Sequence, residues 1–118
     1  MKIKRYESDG RFCKAVIYNG VLYMAGMTSG AEGKDRDITE QTQIVLAKIE
    51  RVLQQYGSGK GKLLSATIYL EDMSMKDAMD TVWKKWVVPG EEPARTTVQA
   101  TLSTTGSVLI EISIIAAA

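Results

Sequence analysis

Hydrophobic residues recur along the chain with two different periods, and each period predicts a different kind of element. In residues 13–26, β-branched and aromatic residues form two short runs that Asn19 and Gly20 separate. An Asn-Gly pair favours the type I′ turn of a β-hairpin, because both central residues of that turn need positive φ angles. A hairpin is therefore predicted here, and a short edge strand is predicted before it over residues 2–6.

Two later segments have the period of an amphipathic helix. In residues 37–57 apolar side chains recur at helical spacing, and Asp37 is the candidate capping residue. In residues 74–87 the apolar stripe contains both tryptophans, and Ser74 is the candidate cap. We interpret both stripes as core-packing surfaces rather than as parts of a cofactor site.

Three further β-rich segments complete the predicted order of elements. They are residues 63–72, a segment near 95–101 and residues 107–116. The resulting order, β-β-β-α-β-α-β-β, is typical of an α+β domain, here a six-stranded mixed sheet with two helices on one face. Residues 1–118 are expected to form a single domain. The glycine-rich segment 57–62 fits no phosphate-binding pattern and is interpreted as a linker.

Adjacent apolar residues within the predicted strands indicate that both faces of the sheet are apolar. Neighbouring strand residues point to opposite faces, yet both members are apolar at positions 16–17, 22–23, 68–69 and 109–110. Two helices on one side can cover only one face. The uncovered apolar face predicts a homo-oligomer, with any cleft lying where subunits meet.

Composition narrows the possible functions. Fifteen basic and fourteen acidic residues give a formal charge of +1, which argues against a nucleic-acid or membrane partner. The chain has no histidine, so Ser-His-Asp and Cys-His catalysis and the usual zinc sites are excluded. A single cysteine, Cys13, and a polar N-terminal segment predict a cytoplasmic protein.

Two charged residues in the last two strands are candidates for chemistry. Arg95 follows Pro93 and shares a strand face with Thr97, while Glu111 is the only charge in residues 107–118. Because a short turn joins these strands, we expect them to pair antiparallel and to place Arg95 and Glu111 in one region of the sheet. Two interpretations stay open at this point: a structural ion pair, or a site in which the guanidinium binds a carboxylate and the carboxylate activates water.

Several motifs together resemble the RidA/YjgF family of enamine/imine deaminases. They are "PAR" at 93–95 before an alternating strand, "IEI" at 110–112, and "SATIYLEDM" before the second helix. The resemblance covers essentially the whole chain. It implies a chorismate-mutase-like fold and a homotrimer with its helices outside a central barrel and three clefts between subunits. It also implies hydrolysis of 2-iminoacids, such as 2-aminoacrylate, to 2-oxoacids and ammonia without a cofactor or metal.

The resemblance further implies roles for individual residues. Arg95 matches the arginine that binds the substrate carboxylate in the family, and Glu111 matches the glutamate that helps to place the attacking water. Backbone groups near Gly26 and Thr97 are expected to line the same cleft. The predicted ligand is therefore a small carboxylate or imino acid.

The chain also departs from the family pattern at three positions. Phe12 and Ala25 stand where many members have a tyrosine and a serine, and Thr97 stands where they have a cysteine. The loss of two hydroxyls keeps a second hypothesis open, a non-catalytic module that binds a 2-oxoacid or related carboxylate. A third interpretation, RNA cleavage, ranks last because of the near-neutral charge and the missing histidines.

Overall fold

The computed structural model describes all residues from 1 to 118 and confirms the predicted order of elements. Two α-helices and six β-strands are joined by loops that contain short 3₁₀ turns. The helices are α1 (Ile38–Gln55) and α2 (Lys76–Trp86). The strands are β1 (Lys4–Ser8), β2 (Cys13–Tyr18), β3 (Val21–Met24), β4 (Leu63–Leu70), β5 (Ala94–Gln99) and β6 (Ile110–Ala117).

Local sequence signals account for the hairpin and for the first helix. Asn19 and Gly20 have φ angles of 54° and 76°, as a type I′ turn between β2 and β3 requires. The Asp37 carboxylate accepts a hydrogen bond from the Glu40 N–H at 2.9 Å, so this residue caps α1 as predicted. Both predictions are confirmed. The signals behind them depend only on neighbouring residues, so the sequence alone was enough to make them.

The predicted start of the second helix is wrong. A 3₁₀ turn, Met73–Met75, precedes α2, and the Asp72 carboxylate accepts a hydrogen bond from the Ser74 N–H at 2.8 Å. Ser74 is thus part of a turn that an earlier aspartate begins, and α2 itself has no side-chain cap. Asp72 was not considered as a candidate cap, although its carboxylate can bind the free N–H groups of a first turn as well as a serine hydroxyl can.

The six strands form one sheet in the order β1-β2-β3-β6-β4-β5. Strand β5 runs parallel to β4, and every other neighbouring pair is antiparallel. The predicted antiparallel pairing of the last two strands is therefore wrong, because β4 lies between them. Helix α2 carries the chain from β4 across to the outer edge at β5, as a parallel pair requires, and residues 100–109 bring it back to the centre.

Both helices pack on one side of the sheet, which we call the covered face. Nineteen buried hydrophobic residues form the core there, including Ile49 of α1, Ile68 of β4 and Ile112 of β6. Trp83 belongs to this core, and Trp86 packs against it. The interpretation of the helix stripes as core-packing surfaces is confirmed.

The other side of the sheet, the open face, has no element packed on it. It carries Tyr18, Tyr23, Tyr69, Val98 and Glu111, and Tyr23 is 45% exposed. Exposed tyrosine and valine side chains grouped on one face are typical of an interaction surface. No helix of the chain is long and apolar enough to span a lipid bilayer.

Candidate functional site

Arg95 lies at the edge of the sheet and points to the covered face. Strand β5 is the last of the sheet, and Arg95 is the register partner of the buried Ala66. Its Nη1 donates to Asp80 Oδ1 of α2 at 2.6 Å. The guanidinium carbon also lies 5.6 Å from the centre of the Trp83 ring, within the range of a cation–π contact. The side chain is therefore held by two residues of α2.

Asp80 is bound by two cations. Its Oδ2 accepts a hydrogen bond from Lys76 Nζ at 2.8 Å, while Oδ1 accepts the one from Arg95. Burial raises the pKa of the Asp80 carboxyl, but the hydrogen bonds and charges of Lys76 and Arg95 outweigh it, so the pKa lies below its ordinary value. Asp80 is therefore ionised at neutral pH, and the three residues together carry one net positive charge.

The backbone of β5 presents free donors beside Arg95. The Ala100 N–H donates to the Leu70 carbonyl at 2.9 Å, so even-numbered residues of this segment direct their backbone groups toward β4. Because alternate residues direct them to opposite sides, the N–H groups of Arg95 and Thr97 face outward from the sheet edge. The Thr97 hydroxyl is buried and has no hydrogen-bond partner. Because the hydroxyl is buried, the donors that this edge offers to an anion are the outward N–H groups and the Arg95 guanidinium.

Glu111 lies on the open face, in the middle of the sheet. It is half-buried on β6 beside Tyr69 of β4, and it has no hydrogen-bond or salt-bridge partner. Its carboxylate lies against Gly26, where an added Cβ would overlap Glu111 Oε2. Gly26 has no positive φ angle, so the close approach of the carboxylate is the reason why a glycine fits here.

A β-bulge precedes this contact. Met27 lies four positions after Tyr23, but their partners Ile112 and Ile115 are only three positions apart. The extra residue lies in the segment that contains Ala25 and Gly26, so the chain bends away from the regular ladder there. Bulges often redirect side chains and backbone next to active sites.

Phe12 and Ala25 lie at the same end of the sheet as Gly26. The Ala25 N–H donates to the Lys14 carbonyl at 3.0 Å, which places the start of β2 beside Ala25. Phe12 immediately precedes that strand and is 54% exposed, with the Arg11 guanidinium 5.3 Å from its ring centre. Neither the Phe12 ring nor the Ala25 methyl group can offer a hydrogen bond at this end of the sheet.

The structure therefore divides the predicted site residues into two groups. The open-face group contains Glu111 and the residues at the end of the sheet where Gly26 lies, and the edge group contains Arg95 and Thr97. The expectation that Arg95 and Glu111 share one region of the sheet is wrong, because β4 separates their strands and their side chains point to opposite faces. The members of the open-face group are Phe12, Ala25, Gly26 and Glu111.

The sequence reasoning missed Asp80. Lys76 and Asp80 are four residues apart on a predicted helix, so the sequence could have predicted their ion pair. The contact with Arg95 had no such signal, because it depends on α2 crossing to the parallel strand β5. Only the topology brings Asp80 and Arg95 together.

A cavity between the two helices lies away from both groups. It has a volume of about 600 Å³ and lies between α1 and α2, with Leu46, Val82 and Trp86 among its lining residues. None of the predicted site residues contributes to it. A single protomer thus offers Arg95 and Glu111 no common cavity there.

Comparison with known proteins finds similarity along nearly the whole chain. A protein-family profile described as Endoribonuclease L-PSP matches residues 2–118. The RutC family protein YoaB of Escherichia coli (strain K12) is 42% identical over 117 residues, which cover 99% of each chain. The protein mmf1, mitochondrial, of Schizosaccharomyces pombe is 35% identical and covers 95% of this chain and 71% of its own. The crystal structure of NMB1025 from Neisseria meningitidis, a YjgF family member, is 38% identical with a TM-score of 0.90, covering 99% of this chain and 95% of that one.

Proposed function

The chain belongs to the RidA/YjgF family, which the matching profile describes as Endoribonuclease L-PSP, and on this premise we propose that it is an enamine/imine deaminase. Its substrates would be 2-iminoacids of the 2-aminoacrylate type, and its products 2-oxoacids and ammonia. Imines hydrolyse without assistance, so positioning of the substrate and of one water could suffice. The proposal therefore needs no cofactor, and its setting would be the cytoplasm.

The observation that carries this proposal is the unpartnered carboxylate of Glu111. A half-buried carboxylate in an apolar strand costs free energy unless it is paired, bound by donors or used in a reaction. Glu111 has none of these partners within its own chain and lies against Gly26 on the open face. Its free oxygens suit it to hold a water and to accept a proton.

The geometry favours a site assembled from two subunits. Arg95 points to the covered face at the sheet edge, and Glu111 lies on the open face, so one chain cannot bring them to the same small ligand. Packing the open face of one subunit against the edge of the next could do so. We propose a homotrimer in which Arg95 of one subunit and Glu111 of its neighbour border each cleft.

The reaction would use these two groups in sequence. The Arg95 guanidinium and the outward Thr97 N–H would bind the substrate carboxylate, since a guanidinium matches a carboxylate bidentately. The water oxygen would bond to the imine carbon while Glu111 accepts the proton that the water releases. Transfer of that proton to the nitrogen would give the carbinolamine. Glu111 would then pass the hydroxyl proton to the same nitrogen, so that the C–N bond breaks with loss of ammonia and formation of the 2-oxoacid.

A second candidate function is a non-catalytic module that binds a 2-oxoacid or related carboxylate. Phe12 and Ala25 favour it, because neither side chain can donate a hydrogen bond to a substrate or to a water. The edge group would serve either function equally well. The two candidates differ only in whether Glu111 takes part in a reaction.

Competition for an imine tests the proposal. A 2-iminoacid is made in situ from L-methionine by an amino-acid oxidase and is trapped with semicarbazide. We expect the protein to lower semicarbazone formation, Arg95→Ala to abolish this effect with the oligomer intact, and Arg51→Ala, an exposed arginine without an ion pair, to retain it.

Two other results would contradict the deaminase proposal. If pyruvate raises the Tm but no imine is consumed, the binding module is the better account. If Arg95→Ala instead dissociates the oligomer, Arg95 has a structural role at an interface and the assigned substrate contact is wrong.

A further inference from the structure

The cluster around Asp80 controls the orientation of Arg95. Of the five N–H donors of a guanidinium, the Arg95 side chain uses one on Asp80, at 2.6 Å, and shows no other side-chain hydrogen bond. Trp83 contacts the guanidinium as a second support, 5.6 Å from ring centre to Cζ. One ion pair and one ring contact fix the guanidinium and leave most of its donors free.

The cluster is also less exposed than an ordinary surface ion pair. The Asp80 and Arg95 side chains are only 18% and 21% exposed to solvent. Lys76 occupies the second carboxylate oxygen, so Asp80 is shared between two cations and cannot neutralise Arg95 fully. The remaining positive charge favours the binding of an anion.

We infer that Asp80 is a positioning residue that holds the Arg95 guanidinium in the orientation in which it binds the ligand carboxylate. This inference rests on the proposed function for the identity of the ligand. A free arginine side chain loses considerable rotamer entropy when it becomes fixed on a ligand, and a side chain that is already held loses less. Asp80 therefore contributes to affinity without touching the ligand, and Lys76 keeps the cluster cationic.

A competition between Asp80 and the ligand for Arg95 would give a different result in binding measurements. If Asp80 competed with the ligand for Arg95, its removal would release the guanidinium and tighten binding. The two relations predict changes of opposite sign in the same measurement.

The test compares Asp80→Ala and Asp80→Asn with Asp77→Ala, an exposed aspartate on the same helix without a side-chain partner. We expect Asp80→Ala to raise the KM for the 2-iminoacid and the Kd for pyruvate about tenfold, with kcat changed far less. Asp80→Asn keeps an oxygen that accepts from Arg95, so it should recover most of the affinity. In an Arg95→Ala background, Asp80→Ala should have no further effect. Unchanged or tighter binding in Asp80→Ala, or additive effects of the two changes, would overturn the inference.

A second readout is independent of any substrate. Phenylglyoxal modifies arginine side chains, and mass spectrometry of the peptide that contains Arg95 measures its rate. We expect Asp80→Ala to raise this rate severalfold and Asp77→Ala to leave it unchanged. If the protein neither binds pyruvate nor consumes imine, the proposed function fails, and the labelling rate alone decides whether Asp80 holds Arg95. An unchanged rate would then refute the positioning role.

Discussion

Arg95 and Glu111 differ in how many partners their charged side chains have within one chain. Arg95 has an ion pair with Asp80, a ring contact with Trp83 and a place on the covered face. Glu111 has no partner and lies on a face that carries exposed tyrosines. A protein that held both groups for structure alone would pair both. In the proposed two-subunit site, the edge group is therefore ready in the single chain, whereas the open-face group depends on a neighbour.

The largest effect is expected when the open face is prevented from packing. Tyr23→Lys places a charge at a 45% exposed position on this face, which should not disturb the core of the protomer. Burying that charge in an interface would cost several kcal/mol. We expect sedimentation velocity to show monomers, circular dichroism to be unchanged, and imine turnover to be lost. Full activity in a monomer would contradict the proposed two-subunit site, because the open face would then need no partner.

Glu111→Gln should have the next largest effect. The amide keeps the size of the side chain but cannot accept the proton of the attacking water, and general-base groups contribute about 10²-fold or more. We expect kcat for the 2-iminoacid to fall by roughly that factor while the Kd for pyruvate changes little, because Arg95 is untouched. Glu92→Gln, at an exposed glutamate without an ion pair, is the matched control. Equal kinetics in the two variants would show that Glu111 does not activate water.

Gly26→Ala should have a smaller effect of the same kind. A Cβ at this position overlaps Glu111 Oε2, so the carboxylate must move. A shift of about 1 Å in a catalytic group can cost up to 10²-fold, and we expect about tenfold in kcat. Gly59→Ala is the control, because Gly59 has an extended backbone and nothing lies near its added Cβ. Comparable losses in both variants would mean that the contact between Gly26 and Glu111 does not matter.

The smallest effect concerns the contribution of the Asp80–Arg95 ion pair to stability. The pKa of folded Asp80 lies below its ordinary value of 3.8, so the ionised carboxylate stabilises the fold above the unfolded pKa. That contribution disappears as the pH falls through the lower folded pKa. We expect Asp80→Asn to reduce the free energy of unfolding by about 1 kcal/mol at pH 6, with the difference shrinking toward pH 3. Urea unfolding at several pH values measures it, and a difference that is independent of pH would contradict the ion pair.

The parts of the fold that depend on neighbouring residues could be predicted from the sequence. The hairpin at Asn19 and Gly20 and the start of α1 at Asp37 follow from turn and capping chemistry. The open face was predictable too, because adjacent apolar residues in strands must serve two faces. These features require no knowledge of which strands become neighbours.

The relation between Arg95 and Glu111 could not be predicted in the same way. A strand pattern indicates which residues share a face within one strand, but it contains no information on strand order. Because β4 lies between β5 and β6, the strands of Arg95 and Glu111 are not neighbours. Their side chains also point to opposite faces of the sheet. The same topology brings Asp80 close to Arg95. The wrong expectation that Arg95 lies near Glu111 and the failure to predict Asp80 therefore have one cause.

The most direct test of the two-subunit site is complementation between two inactive variants. Arg95→Ala and Glu111→Gln proteins are dissociated together, reassembled and assayed for imine consumption, with native mass spectrometry to verify mixed oligomers. Some interfaces then combine an intact Arg95 from one subunit with an intact Glu111 from another. We predict recovery of up to about a quarter of the wild-type activity for random mixing in a closed ring. Mixed oligomers without any recovered activity would contradict a site shared between subunits.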